Sequence, residues 1–186
     1  MAETRRDLAV AAYELANERG WSAVRVPDIA ARVGVSTRTF NNYFPSREAA
    51  LCWPASRRGD QMAAVLGQRP AGEALPDAVA EAVLATYTLP PDESLPKDWL
   101  PGFRALVAAE PALTGEYLRA AAAGEDALAV AIAGRLAEEP DGLRPRVLAA
   151  AAIGAERAAV RQWLRHPSDM DQLRTLIRAA LAEVLR

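Results

Sequence analysis

The chain has a single cysteine, Cys52, and a single histidine, His166, among 186 residues. One thiol closes no intramolecular disulfide, and the two together supply no zinc set, so a metal-free protein of a reducing compartment is expected. Long apolar runs are also missing. The longest, "VLAAAAIGA" from Val147 to Ala155, falls far short of the roughly 18 residues a membrane span needs. The opening "MAETRRDLAV" has no apolar stretch of the signal-peptide kind, which predicts a cytoplasmic protein without a membrane partner. Catalytic groupings are absent as well. His166 stands close to Ser168 and Asp169, but a triad is assembled in space around an oriented base, and adjacency at a helix start defeats that reading. No other nucleophile with a base, no metal set and no glycine-rich phosphate loop is visible, so an enzyme is not expected and no cofactor is implied.

Sparse β-branched and aromatic residues argue against sheets, while Ala, Leu, Glu and Arg, strong helix formers, dominate. The expectation is an all-α chain of about nine or ten helices. Apolar residues at helical spacing give a first helix over 5–19, stopped at Gly20. A short second helix starts at Pro27 and ends at Gly34, and a third, about two turns long, follows the potential cap Ser36. Ser46 caps a fourth helix that Pro54 is expected to interrupt or kink, with a separate segment over 55–66. Further helices are expected over 76–87, 103–109, 112–136 and 143–164, and a last one capped by Ser168 or Asp169 runs to the C-terminus. The stretch "TLPPDESLPKDWLPG" reads as a proline-dense loop.

Net charge hides an asymmetry. Residues 1–58 hold 9 Arg and no Lys against 6 acids, net +3, whereas the remainder holds 13 basic against 18 acidic residues, net −5. Inside the basic part lies "VGVSTRTFNNYFPSREAAL", residues 33–51. Val33, Val35, Phe40 and Phe44 form an inward set, which leaves Thr37, Arg38, Thr39, Asn41, Asn42 and Tyr43 on the outward and flanking faces. These groups carry hydrogen-bonding capacity without a carboxylate. Arginine pairs with guanine, asparagine with adenine, and threonine offers a hydroxyl with a methyl for thymine, so this face suits base edges. Tyr43 and Arg47 suit phosphates. Two short helices about a Gly34-Val35-Ser36 turn are the ingredients of a helix-turn-helix whose second helix enters the major groove.

"ERGW" followed by "VPDIAARVGVSTRTFNNYFPSREAAL" resembles the N-terminal DNA-binding domain of the TetR family of bacterial regulators. Two departures from the family pattern stand out: Arg25 stands where a Thr often caps helix two, and Asn41 and Asn42 replace aromatic or basic residues. The resemblance implies a helix-turn-helix domain over 1–52 that binds a double-stranded DNA operator, and a ligand-binding and dimerisation domain over 53–186. The segments "LVAAEPALTGEYLRA" and "AAAAIGAERAAVRQWL" are similar to a TetR subgroup associated with acyl-CoA-like ligands, which implies such an effector.

Residues available to line its cavity are Tyr87, Phe103, Leu106, Tyr117, Leu118 and Trp163. Aromatic residues at helical spacing serve equally as core. Small residues Ala150, Gly154 and Ala158 form a strip on which a second helix can close, and Leu173, Ile177, Leu181 and Val184 belong to a wide apolar stripe on the last helix. The strip fits intrachain packing or a dimer seam, the stripe argues for the seam, and the resemblance implies that the last two helices pair with their copies in a homodimer. Arg57 and Arg58 read as solvated. Coupling between the parts is expected around Phe44, Leu51 and Trp53, next to Pro54. The resulting expectation is a homodimeric repressor released from an inverted-repeat operator by a small, mostly apolar ligand. The alternatives are a ligand-dependent activator and an acyl-binding protein with a vestigial DNA-binding head.

Overall fold

Nine α-helices and one 3-10 turn make up the regular structure of the described residues, 2–87, 99–166 and 168–185, in the computed structural model. They are α1 (Ala2–Arg19), the turn Trp21–Ala23, α2 (Val26–Arg32), α3 (Thr37–Tyr43), α4 (Arg47–Gln68), α5 (Leu75–Ala85), α6 (Trp99–Ala109), α7 (Pro111–Leu136), α8 (Leu143–Trp163) and α9 (Met170–Val184). Among the described residues there is no strand, and no helix is long and apolar enough to cross a membrane. Most of the proline-dense loop lies outside the described residues. The chain divides into two compact units, Met1–Ser56 with Asp92–Ala121, and Arg57–Pro91 with Ala122–Arg186.

In the first unit, α1 presents Leu8, Ala12 and Leu15 to a core completed by Trp21, Ile29, Phe40, Phe44 and Leu51. The same core takes in Trp99 and Phe103 of α6 and Leu113 of α7. Tyr13 packs against Trp99 with ring centroids 4.6 Å apart, and Trp99 stacks on Phe103 at 5.8 Å. Gly102 makes this possible, since any side chain there would overlap the Tyr13 hydroxyl. Cys52 is part of this core too. Burial, with smaller contributions from Glu116 and Glu48, pushes its thiol up to about 12, so it packs as a neutral group.

The second unit is built on α5, α8 and α9. Alanines at 149, 152, 155 and 159 keep one side of α8 flat and allow α9 to close on it. Leu173, Ile177 and Leu181 of α9 are 0 %, 0 % and 1 % exposed within the single chain. They were expected in a dimer seam, but they are core, because α5 and α8 already cover that face of α9. The later half of α4 meets the later half of α7 at Gly59 and Gly124, where a Cβ on Gly59 would overlap the Gly124 backbone. Glu156 is the buried charged residue of the described set, at 4 % exposure.

Two helices depart from the expected outline. Pro54 lies inside a continuous α4. Its ring removes one backbone donor, but buried Leu51 and Cys52 before it and Met62 and Leu66 after it hold both stretches in place. α6 starts at Trp99, four residues earlier than Phe103. Pro101 falls in its first turn, where amide hydrogens have no intrahelical acceptor to lose. α7, by contrast, runs through Gly115, Gly124 and Gly134 without a break, as the expected helix over 112–136 does.

Gly59→Ala should lower stability by about 1–3 kcal/mol, because a methyl group cannot enter a backbone contact. Gly67→Ala, with nothing within 4 Å of its added methyl, should instead raise it by up to about 1 kcal/mol. Thermal denaturation of the two variants checks the opposite signs.

Candidate nucleic-acid interface

α2 ends in a motif that sets the entry of the next helix. Val33 closes it, Gly34 takes φ +74°, its amide donates to Ala31 O at 3.1 Å, and the Val35 amide donates to Ala30 O at 2.9 Å. This 6→1 and 5→2 pair is the Schellman arrangement, and a side chain at residue 34 would strain it. Ser36 then caps α3, accepting the Thr39 amide at 3.0 Å. Phe40 and Phe44, with ring centroids 5.8 Å apart, bury the inner face at 0 % and 4 % exposure.

With that side fixed inward, Thr37, Arg38, Asn41 and Asn42 are exposed and share one face at i, i+1, i+4 and i+5. No carboxylate occurs from Val33 to Arg47. Thr39 differs from its neighbours: it is half-buried, and its hydroxyl meets Ser36 Oγ at 2.9 Å, so it helps close the cap. Tyr43 is half-buried, with the Arg5 guanidinium 5.6 Å from its ring centroid.

Arg47, read from sequence as a phosphate ligand, is turned inward. Its Nη1 donates to Trp21 O at 2.9 Å and also to Val24 O, its guanidinium lies 4.5 Å over the Trp21 ring, and Nε pairs with Glu48 at 3.0 Å. One side chain thereby adds a second donor to each of two carbonyls in the turn between α1 and α2. Arg25, at the cap of α2, cannot accept a backbone hydrogen. The Asp28 carboxylate accepts the Arg25 amide at 3.0 Å instead and pairs with Arg19 at 2.8 Å, while the Arg25 guanidinium donates to Ser22 O at 2.6 Å. Arg32 ties α2 to α1 through Glu18 at 2.7 Å and Glu14 at 3.3 Å. The hydrogen bond from Arg32 holds the Glu18 carboxyl below its usual value. These clasps left no distinct signal in the sequence, since each arginine there looks like any other exposed cation.

The six residues offered for an effector cavity divide between the units. Phe103, Leu106, Tyr117 and Leu118 belong to the first. Phe103 is core, Leu106 and Tyr117 pack against that core, and Leu118 is 50 % exposed. Tyr87 and Trp163 belong to the second unit and are buried at 8 % and 5 %. The Tyr87 hydroxyl donates to Glu156, and Arg58 reaches the same carboxylate at 3.1 Å and Thr86 Oγ1 at 3.2 Å, with its guanidinium 4.4 Å over the Tyr87 ring. Arg58 is therefore an engaged structural group, where the sequence suggested a solvated one. Of the residues offered for a dimer interface and not buried as core, Ala150 and Ala158 are exposed, Gly154 is half-buried and Val184 is 43 % exposed. Leu143 and Val147, at 79 % and 54 %, extend the same face of α8 and were missed.

Residues 8–51 match the family model described as bacterial regulatory proteins, tetR family, and residues 73–186 match the one described as the MftR C-terminal domain. The HTH-type transcriptional regulator TcmR of Streptomyces glaucescens is 32% identical over 188 residues, covering 97% of this chain and 82% of that protein. Among solved structures, a TetR-family regulator from Rhodococcus sp. superposes with a TM-score of 0.63 at 22% identity over 100% of both chains. Another, from Mesorhizobium loti, gives 0.60 at 17% identity over 99% of this chain and 96% of that one.

Arg47→Ala should cost about 1–3 kcal/mol of stability, because the Trp21 and Val24 carbonyls each lose one of two donors and the Trp21 ring loses the guanidinium packed on it. Urea denaturation checks this. The salt dependence of duplex binding should stay that of the parent, since no phosphate contact is removed.

Proposed function

The chain belongs to the TetR family of bacterial regulatory proteins, and we propose that it works as a homodimeric repressor whose paired α3 helices read an inverted-repeat operator. The observation that carries this reading is the acid-free face of α3, where Thr37, Arg38, Asn41 and Asn42 stand exposed on a helix fixed from behind by Phe40 and Phe44. Arg38 is suited to guanine, and Asn41 and Asn42 to adenine. Tyr43 donates its hydroxyl to a phosphate, and Thr39 contributes chiefly by closing the cap. A DNA-binding regulator acts where the chromosome is, in the cytoplasm.

Pairing of two chains rests on α8. Leu143, Val147, Ala150, Gly154 and Ala158 follow one another at steps of 4, 3, 4 and 4, which lays them along one exposed face. Val184 of α9 adds to the apolar surface of the same unit. Small residues in the middle allow close approach of a symmetry-related helix, and the larger ones seal the end. In this reading residues 1–52 read DNA and residues 53–186 sense and dimerise. The effector is a small, mostly apolar molecule of acyl-CoA-like character, bound by the second unit near Tyr87 and Trp163. A release of roughly 30- to 150-fold requires that it favour the non-binding conformation by about 2–3 kcal/mol.

Asn42→Ala should relax preference at one base pair per half-site, at a cost of about 1–3 kcal/mol if the contact is bidentate. Tyr43→Phe should weaken operator and random duplexes alike, by about 1 kcal/mol per protomer. Fluorescence anisotropy with operator variants separates the two patterns, and identical behaviour of the two variants contradicts this division of roles. Val147→Glu should give folded monomers in sedimentation and weak operator binding, because half-sites about 34–36 Å apart need two joined heads. Leu181→Glu should unfold the second unit instead.

A further inference from the structure

A groove of about 380 Å³ opens in the second unit against α4, α5 and α9. Val65, Leu84 and Ala85 give it an apolar lining, and Arg69, Arg174 and Arg178 bring three guanidinium groups to it. Glu81 and Asp171 also line it, and Glu73 beside the groove pairs with Arg69, so Arg174 and Arg178 are the guanidinium groups an anion would draw on. None of these residues takes part in the DNA-reading face.

Two of the guanidinium groups, those of Arg178 and Arg174, are paired with exposed carboxylates and weakly held. Arg178 uses one nitrogen on Glu81 at 3.1 Å, with side chains 66% and 38% exposed. Arg174 uses one on Asp171, whose side chain is 81% exposed. Ion pairs this open to water contribute little to stability. A guanidinium carries five N–H groups in a planar fork that matches a carboxylate or a phosphate, so an incoming anion can outbid such a partner. The third guanidinium sits on a prepared rim: Arg135 donates to the carbonyls of Arg69 at 3.1 Å, Pro70 at 2.9 Å and Glu73 at 3.0 Å, which fixes the backbone from which Arg69 extends. Arg69 itself is held by Glu73, with Nε at 2.8 Å.

We propose that this groove binds a small amphiphilic anion, an apolar body carrying one carboxylate or phosphate, with Arg174 and Arg178 holding the charge and Val65, Leu84 and Ala85 receiving the body. Arg174 also connects the groove to the buried cluster. Its Nη1 donates to Tyr87 O at 3.2 Å, and Tyr87 in turn contacts Glu156 through its hydroxyl and Arg58 of α4 through its ring. An anion that draws Arg174 away from Tyr87 thus acts on the residue that holds Arg58. Only this last link rests on the repressor reading above; the site itself does not.

Isothermal titration calorimetry of the full chain without DNA tests the site, with octyl phosphate, octanoate, octylammonium and inorganic phosphate as probes. At least one octyl anion should bind at one site per chain, more than about tenfold tighter than octylammonium and than inorganic phosphate, and the preferred anion names the head group. Arg178→Gln should weaken that binding about tenfold with an unchanged melting temperature. Arg174→Gln should do the same, and Arg178→Gln decides if Arg174→Gln fails to fold. Absence of binding at millimolar probe, equal binding of octylammonium, or parental affinity in folded Arg178→Gln overturns the proposal. Operator titration with the bound anion present is a separate measurement, and its failure would count against effector coupling while leaving the site intact.

Discussion

The burial of Phe40 and Phe44 is the constraint from which the exposed face of α3 follows. A helix of seven residues has too few internal hydrogen bonds to stand alone, so α3 exists because two aromatic rings anchor it and a serine caps it. Fixing two rings four residues apart also fixes which side chains cannot turn inward. Thr37, Arg38, Asn41 and Asn42 are exposed as a geometric remainder, and their chemistry can then be chosen without regard to packing. The Schellman turn at Gly34 serves the same end, because it sets the direction from which α3 leaves α2.

Arginine serves two purposes in this chain. The basic excess of the N-terminal residues suggests a broad attraction to DNA, yet much of that charge is used internally. Arg19, Arg32 and Arg47 are paired with carboxylates, and Arg25 and Arg47 donate to backbone carbonyls. What remains to face a duplex is local and concentrated near α3. The second unit repeats the pattern, with Arg135 holding three carbonyls and Arg58 neutralising the buried Glu156. Guanidinium suits this work because it is planar, weakly hydrated and rich in donors.

Helix type and the helix-turn-helix were legible in the sequence, because periodicity, a capping serine and a glycine turn are local signals. The inward placement of Phe40 and Phe44 was legible for the same reason. Three kinds of information were not. Helix continuity through Pro54 depends on burial on either side of the proline, which no local rule reports. The stripe of Leu173, Ile177 and Leu181 was rightly seen as needing a partner, but amphipathicity does not say whether that partner is α8 of the same chain or a second copy. Arg47 and Arg58 sit in sequence surroundings typical of solvated cations, and only the placement of Trp21, Val24, Tyr87 and Glu156 gives them their partners.

The separation of reading groups from packing groups on α3 has an evolutionary consequence. Arg38, Asn41 and Asn42 face solvent, so under the proposed reading their exchange alters operator preference at little expense to the folded state, while exchanges at Phe40, Phe44 or Gly34 destabilise it. After gene duplication, a copy of such a regulator can drift to a new operator through single substitutions, each intermediate remaining folded. Diversification of DNA targets is thereby decoupled from the stability threshold that otherwise limits how fast a small protein can change.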